Sequence, residues 1–136
     1  MTPGAALLAA TAVHFGFQLT VTVLVYPALA RIPAGEWQLA HAAHSRAITP
    51  LVGLVYGGLL ATGIRTLASG LPDPWTLVAL AATAVAVLVT AAAAAPAHGR
   101  LAAGHDPDRI TRLLRADRLR AVAATVAFVA AGLAVW

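Results

Sequence analysis

Four stretches of this chain contain no Lys, Arg, Asp or Glu: residues 2–30, 47–64, 74–99 and 121–136. A helix needs about 20 residues, within a range of roughly 17 to 25, to cross the hydrocarbon of a bilayer. Each stretch meets or approaches that length, so the chain reads as a set of membrane helices. The fourth is the shortest. Leu119 lengthens it, and Arg120 at its edge is expected to snorkel its guanidinium toward the headgroups. The expected fold is all-α: one four-span transmembrane domain over residues 1–136, an integral membrane four-helix bundle with spans at about 4–29, 47–66, 74–98 and 117–136.

The arginines orient it. Arg31 and Arg46 lie in the first connection, and Arg100, Arg109, Arg112, Arg115, Arg118 and Arg120 in or beside the third, whereas the second holds Arg65 alone. With four spans the first and third connections share a side, which therefore carries eight arginines against one. Cytoplasmic loops retain basic residues, so both termini are expected outside a bacterial-type plasma membrane.

Hydrophobic residues make up 60% of the chain and charged residues 10%, against about 25% charged in a soluble domain. The net charge of +4 sits beside the spans, where anionic lipid headgroups rather than nucleic acid are the natural partners. Cysteine is absent, which excludes disulfides, thiolate catalysis and cysteine-ligated metal centres. Ala28-Leu29-Ala30 has the small-x-small look of a signal-peptide cleavage site. The segment before it lacks a basic n-region and is too long for an h-region, so an uncleaved span is expected.

Polar residues then mark faces. Thr11, His14, Gln18 and Thr22 recur at spacings of three and four, so they line one side of the first helix. Facing lipid they would be penalised, so the stripe is expected to face the bundle interior. There it serves either as interhelical hydrogen bonding or as the wall of a cavity where His14 and Gln18 meet a substrate. Tyr26-Pro27 is expected to end the span, with Tyr26 in the interfacial aromatic belt. Pro33-Ala34-Gly35-Glu36 can start a helix, with the acid in its first turn. Trp37, His41, His44 and Ile48 then share a face, as in an interfacial helix that runs into the second span. Within that span Gly53-x-x-x-Gly57 offers a smooth surface for close helix approach, inside the bundle or in a homo-oligomer.

Residues 69–74 form a tight turn with Trp75 as interfacial anchor, and Pro96 is expected to kink the third span just before His98. Asp106-Pro107-Asp108 reads as N-cap, first helical residue and dipole partner of a helix running to Trp136. His41, His44, His98, Asp117 and Arg120, far apart in sequence, all fall at the arginine-rich end of such a bundle. A His-x-x-His pair can ligate zinc, yet it arises readily by chance and lacks an obvious carboxylate support. A haem would need a second deep histidine beside His14. No metal and no cofactor is expected, and the histidines are candidates for acid–base work near neutral pH.

Two sets of residues resemble a known family. Gly16-Phe17-Gln18, Tyr26-Pro27-Ala28-Leu29, Glu36-Trp37-Gln38 and Pro50-Leu51 carry the likeness in the first half. Pro96-Ala97-His98-Gly99-Arg100-Leu101, Leu113-Leu114 and Arg120 carry it in the second. Together they resemble the anthrone-oxygenase-like family of small four-span membrane proteins and its uncharacterised bacterial relatives. The resemblance covers most of the chain through short motifs. His98 stands where the family has an asparagine, and Asp117 and Arg118 stand where a tryptophan is usual. It implies a four-span fold and oxidation of an anthrone- or hydroquinone-like lipophilic aromatic without metal or flavin.

On that reading His98 or His41 is the catalytic base and Arg120 stabilises the enolate. His14, Gln18, His44 and Asp117 are the candidate substrate contacts. The alternative is a non-enzymatic membrane subunit or lipid-interacting protein whose arginines contact anionic lipid.

Overall fold

The computed structural model describes all 136 residues, Met1–Trp136, and the chain is helical throughout with no strand. Helix α1 spans Pro3–Leu29, α2 Trp37–Ala68, α3 Pro74–Leu101 and α4 Pro107–Leu133. By length and composition α1, α2 and α3 can each cross a membrane. In α4 the first turns carry five arginines and the apolar run begins at Ala121.

Three of the four helices start the same way. Thr2, Asp73 and Asp106 sit in extended conformation and accept from the backbone N–H of Ala5, of Trp75 and Thr76, and of Arg109, each followed by proline at the first helical position. The cap satisfies a donor that would otherwise be orphaned, and the proline has no N–H to orphan. The Thr76 hydroxyl also donates to Asp73, and these bonds hold its carboxyl below the usual aspartate range. Asp106 behaves as its spacing predicts. Glu36 does not: residues 33–36 form a turn, Glu36 precedes α2 with no side-chain cap, and the helix begins at Trp37. The segment expected as an interfacial helix is the opening of one continuous 32-residue helix that passes through Pro50. Such a helix is about 48 Å long, well beyond the roughly 30 Å of bilayer hydrocarbon.

Helices α1 and α3 each contain one π turn, at Val21–Val25 and Thr90–Ala94. The Tyr26 N–H reaches back to the Val21 carbonyl and the Ala95 N–H to the Thr90 carbonyl, five residues each. Pro27 and Pro96 follow directly. A proline inside a helix lacks its donor and crowds the carbonyl four residues back, and one wider turn ahead of it relieves both. The expected proline disturbance is therefore a one-residue bulge; α1 ends two residues past Pro27, at Leu29, and α3 runs five past Pro96, to Leu101.

The matching bulges expose an internal repeat. Pro27-Ala28-Leu29-Ala30-Arg31-Ile32-Pro33-Ala34-Gly35 returns 69 positions later as Pro96-Ala97-His98-Gly99-Arg100-Leu101-Ala102-Ala103-Gly104. Each copy links a bulged helix to a long helix that starts at the arginine-rich end. The chain is thus two halves, α1–α2 and α3–α4, with the same order of parts.

Packing breaks that equivalence. Alanine faces close α3 against α4: Ala79 and Ala86 meet a row that includes Ala123, Ala124, Ala127 and Ala130, all buried. Helix α1 packs on both α2 and α4, whereas the α2 and α3 backbones come close at few places and the two helices meet mainly through side chains. The α2–α3 seam is the repeat's counterpart of the closed α1–α4 seam, and it stands open. Gly53, Gly57 and Gly58 do not close it, since a Cβ added at any of them would meet nothing within 4 Å. Close approach is achieved by alanines of α3 and α4, because α2 turns Tyr56, Leu59 and Thr66 inward and Gly53, Gly57 and Gly58 outward; Gly63 alone of its glycines lies against α3, at Leu80.

Candidate functional site

The polar stripe of α1 faces the interior as its spacing predicts: Thr11, His14 and Gln18 are all buried. Gln18 Nε2 donates to Asp117 Oδ1 of α4 at 2.6 Å, and Arg120 Nη2 donates to the same oxygen at 2.8 Å. Arg120 is only 5% exposed. It does not snorkel. A guanidinium one helical turn after Asp117 finds a carboxylate three residues back, and burial makes that ion pair the better partner. Arg120 also donates to the Tyr26 hydroxyl at 3.2 Å and reaches the Thr90 hydroxyl at 3.5 Å.

Tyr26 was expected in an interfacial belt. It is instead 4% exposed and joins two groups of side chains. Its hydroxyl lies 2.9 Å from His98 Nε2, and His98 Nδ1 lies 3.3 Å from His41 Nε2. The Trp37 indole stacks on His41 and donates to the Leu101 carbonyl, which fixes the start of α2 against the end of α3. His44 stacks on His98 at 5.7 Å between ring centroids. Thus His41, His44, His98, Asp117 and Arg120 do converge, and Tyr26 is the link. Thr90 extends the chain to the Tyr56 hydroxyl at 2.8 Å, against whose ring His14 stands edge-on.

This network forms one side of a cavity of about 270 Å³ at the open α2–α3 seam. Tyr26, His98, Arg120, Thr90 and Ser45 supply its polar atoms, and Phe17, Val21, Ile48, Val52 and Ala94 its apolar surface. Exposed Thr49 and Ala95 flank the mouth. A mostly apolar cavity with a few convergent polar groups is the usual form of a small-molecule site, and this one is near the small end of the common range of roughly 300–1,000 Å³.

The remaining sequence candidates stand behind the wall. His14 is fully buried with both ring nitrogens unpartnered. Asp117 pairs with Arg120 and accepts from Gln18, and His44 backs His98. None of these four lines the cavity. No three His, Asp or Glu side chains are arranged to hold a metal ion.

Tyr26, Thr90, Ser45 and Tyr56 were not among the expected site residues. Tyr26 follows the first bulge and Thr90 opens the second, but the repeat sets them against Ala95 and Val21, so it carries no signal for either. Neither a family model, nor a curated protein, nor a solved structure matches this chain.

Proposed function

We propose that this is a four-span membrane protein, both termini extracytoplasmic, that binds a lipophilic aromatic molecule and oxidises it with molecular oxygen, without a cofactor. One observation carries the reading: a phenol, an imidazole and a buried guanidinium converge on a mostly apolar cavity. The eight-to-one distribution of arginines supports the orientation, and the length of α2, greater than the hydrocarbon needs, supports a surface position for its first turns with His41 and His44.

The substrate class is a carbon acid whose anion is stabilised by a neighbouring carbonyl, as in an anthrone. Tyr26 and His98 act as one base: the substrate C–H proton passes to the Tyr26 oxygen as the Tyr26 proton passes to His98 Nε2. The enolate oxygen that forms is stabilised by Arg120, held in place by Asp117 and Gln18. The carbanion gives an electron to oxygen, and recombination forms a C–O bond. Protonation then gives a hydroperoxide, and loss of water leaves the ketone. Overall, a CH₂ group and O₂ become C=O and H₂O.

The test is aerobic incubation of the purified protein with a panel of anthrones and hydroquinones, following quinone absorbance and oxygen uptake. Catalysed oxidation that fails in His98→Ala supports the reading. Absence of oxidation across the panel would replace it with the lipid-interacting subunit.

A further inference from the structure

Behind the first cavity lies a second, of about 260 Å³, nearer the arginine-rich end and lined by Gln38, His41, Ala42 and Gly99 among others. Ser45 and His98 belong to both walls. The His98 ring therefore stands between the two spaces, with Nε2 toward Tyr26 and Nδ1 toward His41.

Donor arithmetic gives this chain a direction. Arg120 has only donors, so the Tyr26 oxygen accepts from it and the phenolic hydrogen must point elsewhere. His98 Nε2 is the remaining partner, at 2.9 Å. A neutral His98 that accepts at Nε2 carries its hydrogen on Nδ1, which faces His41 Nε2. His41 then accepts at Nε2 and keeps its own hydrogen on Nδ1. Every bond from Arg120 to His41 donates the same way.

We propose that Tyr26, His98 and His41 are a proton relay that carries a proton out of the first cavity and releases it into the second. The proposal rests on the first cavity being a site that deprotonates its ligand. In one pass Tyr26 gives its proton to His98 Nε2, His98 gives its Nδ1 proton to His41 Nε2, and His41 gives its Nδ1 proton to water in the second cavity. Tyr26 is left as a phenolate beside Arg120 and regains a proton from the substrate. The proton count is unchanged in the protein and lower by one in the substrate. The other charged or titratable groups facing these three residues are Arg120 and Asp117 from α4, Tyr56 and His44 from α2, and His105, which stands edge-on to Trp37.

Two measurements on the full chain in nanodiscs test it, and neither needs a substrate. Histidine ¹⁵N shifts at neutral pH should show both His98 and His41 protonated on Nδ1 and bare on Nε2; a His98 protonated on Nε2 overturns the relay. In a Tyr56→Phe background Tyr26 is the only tyrosine. Its ionisation after an alkaline pH jump, read by ultraviolet absorbance, should slow by about 10²-fold in His41→Phe, the low end of what a positioned proton-transfer group contributes. Added imidazole should restore the rate. An unchanged rate, or no rescue, overturns it; should His41→Phe fail to fold, His41→Gln is read the same way. A panel of anthrones left unoxidised would remove the oxygenase reading and leave both results standing.

Discussion

Gln18 and Asp117, 99 positions apart in the chain, are joined by a 2.6 Å hydrogen bond from the α1 amide to the α4 carboxylate. That bond and the Arg120 ion pair share one oxygen, Asp117 Oδ1, so a single atom organises the interior charge. Asp117→Ala should leave Arg120 buried and unpaired, at a cost of about 3–5 kcal/mol. The double replacement Asp117→Leu with Arg120→Met should recover most of that loss, because two apolar groups of similar size need no partner. Unfolding of the purified variants in mixed micelles checks both.

The cavity wall and the residues behind it should separate in turnover of an anthrone. His98→Ala is expected to lose about 10²–10⁴-fold, the worth of a positioned base, and Arg120→Ala about 10²–10³-fold, the worth of one charge-stabilising donor. Arg109, paired with Asp106 at the surface, and exposed Arg112 should change turnover little. Equal sensitivity at Arg109 and His98 would count against the site.

His14 should be silent in that assay and informative in another. Both its nitrogens lack partners, and removing a buried unsatisfied polar group is neutral or stabilising when the replacement fits. His14→Phe should therefore keep turnover and hold or raise the melting temperature. A large drop in turnover would place the substrate deeper than the cavity described.

The π turn of α3 makes room for Pro96. Deleting Ala92 should close Thr90–Ala94 into an ordinary α turn, with the Ala95 N–H still on the Thr90 carbonyl and the later residues facing as before, but with Pro96 crowding the carbonyl four residues back at a cost of about 3 kcal/mol. Circular dichroism should show the helix content retained and the melting temperature lowered. An unchanged melting temperature would mean that the bulge does not relieve Pro96.

Orientation has its own measurement. A fusion at Trp136 is expected to be active as alkaline phosphatase and dark as green fluorescent protein. The opposite pattern would put the histidines on the outer face.

The parts of the fold that were legible in sequence are those governed by local chemistry. Asp106-Pro107 is a cap wherever it occurs at the start of an apolar periodic run, and the spacing of Thr11, His14 and Gln18 can only describe one helix face. The convergence of His41, His98 and Arg120 followed from topology, since their helix ends share one end of a narrow bundle. Tyr26 was misread because a tyrosine before a proline looks the same in an interfacial belt as in an interior network. The difference lies 94 residues away, in whether an arginine is there to donate to it. Gly53, Gly57 and Gly58 of α2 close no contact inside this bundle for a related reason: a small-residue pattern tells which face could pack closely, and the partner decides whether it does.

The open α2–α3 seam means that the protein supplies only part of the wall of its own cavity. If the proposed membrane placement holds, acyl chains complete the missing side. A molecule that settles there would then displace lipid rather than water, and its occupancy would reflect a partition between bilayer and protein. Its apparent affinity would then scale with how much lipid or detergent accompanies the protein, and values measured at different lipid-to-protein ratios would agree only when expressed as a mole fraction in the membrane.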